Sequence, residues 1–333
     1  MKKFSRLLLV VAVLVSLVGV QLSGTQYANA QTASGAGNGL KVSPVRTDLT
    51  VNPGTSQTIT VNIENVTSTT TTFQALVNDF VANPNESGQP NLILDPTKFA
   101  PAHSLKRYIS AIPDVTVEPK QSKSVKVVIT VPKDAAGGGY FGAVRFAPAV
   151  EGSRDKNVTL SASVGSIILV RVPGDIKDDL QIASFDVRHA NNPTGSSFFT
   201  SDKDLKAVVR FQNKGNVQEQ PFGKILLKKG GKTVQTVEVN NTEPRGNVLP
   251  DSVRRFTVPL KVDGYGKYTV EGNFGYLDNG QLLSASTTFY VLPVGLIVVG
   301  IILVVLIVLA IIFLPRAVKR YNQRIIRRAN RRR

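Results

Sequence analysis

From Leu40 onward apolar and polar residues alternate in short runs. Residues 58–64 place Ile59, Val61 and Ile63 on one face and Thr58, Thr60, Asn62 and Glu64 on the other. Val125, Val127, Ile129 and Val131 repeat the pattern, as do Ala207, Val209 and Phe211, and again Phe256, Val258 and Leu260. A period of two marks half-buried antiparallel strands. No long amphipathic helix interrupts them before residue 292. The pattern then changes. Residues 294–314 form a run of 21 without a charge. At about 1.5 Å per residue, a helix of that length matches a hydrocarbon core about 30 Å thick. It would be apolar on every side, which suits lipid better than the core of a soluble domain.

Turn signals divide the strands. Pro53, Pro119 and Pro250 each stand six, eight and ten positions before the inward residues of an alternating strand, with turn formers between. In a sandwich this is a loop at one end feeding a strand whose inner face lies on the opposite sheet. Gly230-Gly231 predicts a hairpin between residues 224–228 and 233–239, and Asp278-Asn279-Gly280 one between 268–276 and 281–291. Strands at this spacing argue for an all-β ectodomain of two β-sandwiches in tandem. The boundary falls at residues 172–175, which gives sandwiches over 40–174 and 175–292, a membrane span over 293–314 and a tail over 315–333.

Charge and composition add an orientation. Lys2, Lys3 and Arg6 lead into an apolar run over residues 7–20, and Ala28-Asn29-Ala30 is an A-x-A site. Residues 1–30 therefore read as a signal peptide cleaved between Ala30 and Gln31, rather than as an uncleaved second anchor. Residues 31–39, Gln-Thr-Ala-Ser-Gly-Ala-Gly-Asn-Gly, read as a flexible linker. Of the seventeen net positive charges, nine lie in the tail and three in the leader. The five that remain are dispersed among acids, so nucleic acid is not an expected partner. Nine cations beside a span mark the cytoplasmic side and place residues 31–292 outside. The chain has no cysteine, so the exported part must be held by burial alone.

Catalytic signatures are scarce. His103 and His189 are the only histidines, 86 residues apart, and there is no G-x-S-x-G, H-E-x-x-H or phosphate loop. Asp175, Asp178 and Asp179 lack the alternation of a calcium loop and read as a solvated turn. No catalytic, cofactor or metal site is expected. The more specific stretch is Gly137-Gly138-Gly139 followed by Tyr140 and Phe141, with Arg145 further along. Three glycines allow close backbone approach, and both faces of the strand carry an aromatic residue. These six residues are the candidate binding surface. The competing reading is a central strand beside a glycine bulge. Leu292-Pro293-Val294-Gly295 lacks the Thr of a wall-sorting signal, which leaves the stop-transfer anchor as the better reading.

A family resemblance rests on Val42-Ser43-Pro44-Val45, on residues 51–61, on Val115-Thr116-Val117-Glu118-Pro119 and on residues 131–140. In these the chain resembles the Gram-positive WxL-interacting surface proteins. The resemblance implies immunoglobulin-like sandwiches, attachment to peptidoglycan through the first and to surface proteins through the second. Residues 211–217 resemble a generic adhesion module. The expected function is a membrane-anchored surface binding or scaffold protein. The alternatives are an anchored glycan-processing enzyme and an envelope chaperone.

Overall fold

The computed structural model describes residues 39–149, 163–276 and 280–329. The expected leader, its cleavage site at Ala30-Gln31, lead-in residues 31–38 and the last four tail residues lie outside the described residues. So do Asp278 and Asn279 of the second expected hairpin.

The first sandwich packs a sheet of β1 (Leu40–Ser43), β3 (Ser56–Asn65) and β7 (Ser122–Thr130), in the order β1-β3-β7, against a larger one. That sheet holds β2 (Arg46–Thr50), β4 (Thr71–Ala82), β5 (Pro90–Leu92), β8 (Gly138–Pro148) and β9 (Val164–Val172), in the order β2-β9-β8-β4-β5, with β6 (Val115–Val117) also on β4. The alternating residues dictate how the sheets face. β3 and β7 pair antiparallel with Ile59 opposite Val127 and Val61 opposite Val125, so both strands turn the same face inward. Val61, Ile63, Val127 and Ile129 are each 0% exposed. Burial of one such side chain is worth about 1.5–3 kcal/mol.

The second sandwich repeats the plan. β10 (Leu180–His189), β12 (Leu205–Asn213) and β15 (Ser252–Pro259) form one sheet. β11 (Phe198–Phe199), β17 (Gln281–Val291), β16 (Gly266–Tyr276), β13 (Phe222–Lys229) and β14 (Lys232–Val239) form the other, in that order. Its core is more aromatic. Phe211 meets Phe274 edge-on with ring centroids 5.0 Å apart, and Tyr268 stacks on Phe289 at 5.3 Å. Gly230 and Gly231 both adopt positive φ, 57° and 81°, as a two-residue hairpin turn between β13 and β14 requires.

The recurring proline spacing has a backbone cause. Gly54, Lys120 and Asp251, each following its proline, have φ of 77°, 60° and 52°. Proline at the second turn position and a left-handed residue at the third make a type II turn. The Thr55 and Gln121 amides close it on the Asn52 and Glu118 carbonyls, at 3.2 and 3.1 Å. A second repeat went unread in the sequence. Asn65 ends β3 and Asn213 ends β12, both 0% exposed. Asn65 Nδ2 donates to the Thr69 and Val117 carbonyls, while its Oδ1 accepts the Thr67 amide. Asn213 Nδ2 donates to the Val217 and Val248 carbonyls, and its Oδ1 accepts the Gly215 amide. Val117 and Val248 each stand two residues before a turn proline, so the same side-chain clamp ties strand end to turn in both domains.

Two residues, Leu292 and Pro293, separate β17 from α1 (Val294–Ala329). Residues 294–319 of this helix are long and apolar enough to cross a membrane, with mean hydropathy 3.7 in the most apolar window. The helix does not stop at the expected boundary of 314. Pro315 leaves the Ile311 carbonyl without its helical N–H, while Arg316 donates a guanidinium N–H to the neighbouring Ile312 carbonyl at 2.6 Å. The helix continues through the basic segment.

Candidate functional site

The segment singled out in the sequence lies at the joint of the two sandwiches. Gly137 passes Gly174 so closely that a Cβ on Gly137 would stand 2.7 Å from the Asp175 nitrogen and 2.8 Å from Gly174. Gly138, at φ 150°, would bring a Cβ to 3.0 Å from the Asn216 carbonyl oxygen. The Gly139 amide donates to that carbonyl at 2.7 Å, and Asn216 Nδ2 donates to the Gly137 carbonyl at 3.1 Å. The close approach that the glycines permit is therefore made by the interdomain linker and the 214–218 loop. Phe141 is 3% exposed and packs with Phe80, Ala143 and Leu169, against which Leu249 of the second sandwich also packs. Tyr140 lies under Tyr108, with centroids 5.0 Å apart, and its hydroxyl donates to the Ala136 carbonyl. Burial, and then Tyr108, push its phenol up to about 12. Arg145 donates to Asn78 Oδ1 at 3.0 Å and Ser163 Oγ at 2.6 Å. Most of this segment is spent on internal packing, as the central-strand reading expects, and little of it is free to meet a ligand.

Further contacts lock the joint. The β4–β5 tip carries Glu86, which accepts the Nε of Arg210 on β12 at 2.7 Å and a second Arg210 N–H. That hydrogen-bonded pair holds the Glu86 carboxyl below its ordinary value. The Arg255 amide donates to the Glu86 carbonyl at 2.9 Å, and Arg46 Nη1 donates to the Arg245 carbonyl at 2.6 Å.

A more accessible surface lies on the loop between β5 and β6. Its anchor is Asp79, 0% exposed, which lies between the buried Asn78 and Phe80 of β4. The two Asp79 oxygens accept the Ala100 amide at 2.9 Å, the Ser104 hydroxyl at 2.6 Å and the Lys106 amide at 2.8 Å. Asn78 Nδ2 adds a bond to the Ile93 carbonyl. A buried carboxylate is tolerated only when so satisfied, and the bonds that satisfy it fix the loop. The pinned loop presents Leu94 and Phe99, 48% and 41% exposed. The Arg107 guanidinium lies 4.4 Å and Lys106 Nζ 4.8 Å from the Phe99 ring centre. With cations over its ring, the exposed part of Phe99 sets apolar surface beside positive charge, which can receive a ligand with apolar C–H groups and carboxylates. The sequence held a signal for it, the polar pair Asn78-Asp79 between Leu76-Val77 and Phe80-Val81, which strand alternation alone does not explain.

Among the described residues no group of three or more His, Cys, Asp or Glu could hold a metal ion. Asp178 pairs with Arg171 and Asp179 with Lys177, both at 3.5 Å.

Comparison with known proteins places this geometry. Several fimbrial chaperones match by structure. One is the Class 5 fimbriae chaperone CfaA, at 14% identity over 76% of this chain and 99% of that one, with a TM-score of 0.37. Another is the E. coli chaperone DraB, at 17% identity over 76% and 97%, with a TM-score of 0.31. At these scores the likeness carries no functional meaning. No curated protein matches the chain. Residues 47–148 match the family model described as "WxL Interacting Protein, peptidoglycan binding domain", and that range runs from within β2 to the end of β8. The first sandwich of this chain is thus built on a WxL Interacting Protein peptidoglycan binding domain.

Proposed function

We propose that this chain is a single-pass surface protein that holds peptidoglycan through its first sandwich, with the Phe99 loop as the contact. The observation that carries the reading is the family match over residues 47–148 in a chain that ends in an apolar helix. The exposed part of Phe99 offers apolar surface to sugar C–H groups, and Arg107 and Lys106 over its ring offer charge to the carboxylates of the peptide stems. The helix anchors the chain with the basic segment on the cytoplasmic side, and the second sandwich faces WxL or other surface proteins. Binding and scaffolding, without catalysis, is the activity. Retention of the detergent-solubilised full chain on purified sacculi tests this. Phe99→Ala with Arg107→Ala should release most of the bound protein. Retention equal to that of the unaltered chain would remove the loop from the reading, and no retention of the unaltered chain would remove peptidoglycan.

A further inference from the structure

Between the sandwiches lies a cavity of about 70 Å³, lined among others by Arg46, Phe80, Leu169, Asn247, Leu249 and Arg254. It has an apolar wall and unequal cations. Arg46 is neutralised by Asp48, its Nε 2.6 Å from Oδ2 and its Nη2 3.0 Å from Oδ1. Arg254 forms no ion pair among the described residues. Its Nη1 donates to the Asn247 carbonyl at 2.7 Å, its guanidinium lies 4.8 Å from the Phe256 ring centre, and its Nε has no partner. Gly88 of the first sandwich and Gly246 of the second make room for it. A Cβ on either would stand 2.2 or 2.5 Å from the guanidinium. Burial, and then Arg46, lower the pKa of Arg254. A half-buried cation without a counter-charge is costly, and an anion removes the cost. Beside it Asn247 Oδ1 is also buried without a donor.

The cavity therefore offers a cation without a counter-charge and an apolar wall. The C-terminal residue of a peptide supplies the complement of each in one unit. Its carboxylate meets the Arg254 guanidinium, and a small side chain meets Phe80, Leu169 and Leu249. From this we infer that the interdomain cavity binds the free alanine carboxylate that ends a peptidoglycan stem peptide. The inference rests on the proposed function for its ligand, and on the cavity alone for its chemistry.

The test uses the full chain in detergent micelles and a fluorescein-labelled L-Lys-D-Ala-D-Ala peptide, followed by anisotropy. Binding should saturate, and the C-terminal amide of the same peptide should bind at least tenfold more weakly. Arg254→Gln should lose at least tenfold, as should Asn247→Asp, which sets a carboxylate against the ligand's own. Leu282→Ser, at an exposed position of β17 outside both the cavity and the loop, should leave peptide binding unchanged. Equal binding of acid and amide, a comparison that needs no variant, would overturn the inference. So would equal binding of the L-Ala-L-Ala isomer, which would assign the cavity to protein C-termini, or no binding of the acid at millimolar concentration. Retention on sacculi without peptide binding would overturn this inference and leave the proposed function standing.

Discussion

Glu219 should make the stability of this protein fall as pH rises through neutrality. Its side chain is 2% exposed, and its backbone is fixed by paired bonds with Val248, at 3.0 and 2.7 Å. Oε1 finds no partner among the described residues. Burial, followed by the neighbouring Asp178 carboxyl, raises the Glu219 pKa from 4.5 to about 8, while Arg171 opposes the shift. The folded state thus keeps a proton that the unfolded chain has released. The stabilisation is complete below about pH 4.5, is lost progressively up to about pH 8 and is level above it. One linked proton is worth at most about 1.4 kcal/mol per pH unit. With solvent screening and the charge shared among Asp178, Arg171 and the nearby Asp179 and Tyr276, we expect about half that, or about 2 kcal/mol between pH 5.5 and 8. Glu219→Gln keeps the shape and removes the titration. Denaturant unfolding of both proteins across this range gives the difference directly, because other groups titrate in both and cancel. If the difference between them does not change with pH, Glu219 is not held protonated and the reasoning fails.

Other variants probe the frame. Asn213→Ala leaves two buried carbonyls and an amide unmatched and should cost about 2–4 kcal/mol by denaturant unfolding; a loss below 0.5 kcal/mol, a rough noise floor, would deny the clamp its role. Gly137→Ala forces a Cβ into the interdomain linker, and should raise the rate of protease cleavage at residues 174–179 while each core stays folded by near-UV dichroism. Unchanged cleavage would mean the linker absorbs the clash. Asp79→Ala removes three hydrogen bonds from a buried site and should cost about 3 kcal/mol or more, releasing the Phe99 loop and with it retention on sacculi. Full retention would show that the loop holds itself.

The strands were legible because one side chain in two decides their fate. Val61, Val127, Val209 and Val258 are buried as their alternation requires. The proline spacing was legible too, but its cause, a left-handed residue after each proline, is a backbone angle that side-chain type only hints at. Asp204, at φ 56°, occupies a comparable position just before β12 with no proline to mark it. The glycine run shows where pattern reading stops. Close approach was foreseen, and what approaches was not, because Asp175 and Asn216 meet Gly137 and Gly138 only through the packing of two domains. The same holds for Arg254, one of 40 Lys and Arg residues until its surroundings are known. Asp79 is the reverse case. Its setting, with Asn78 between apolar flanks in a strand, was readable, since a buried carboxylate there must find several donors.

The two-residue passage from β17 into α1 has a mechanical meaning. A tether of two residues has almost no entropic slack, so the last strand and the helix move as one lever. Leu292 is also stitched to β11 by its amide, which donates to the Phe199 carbonyl at 2.8 Å. Under the proposed function, tension between the first sandwich on the wall and the helix would run undamped along β17 and through the second sandwich. The element that gives first would then be the interdomain joint, where Glu86 meets Arg210 and Asn216 meets the glycines. On that reading the joint would act as a fuse, because the two-residue passage leaves no slack to yield before it.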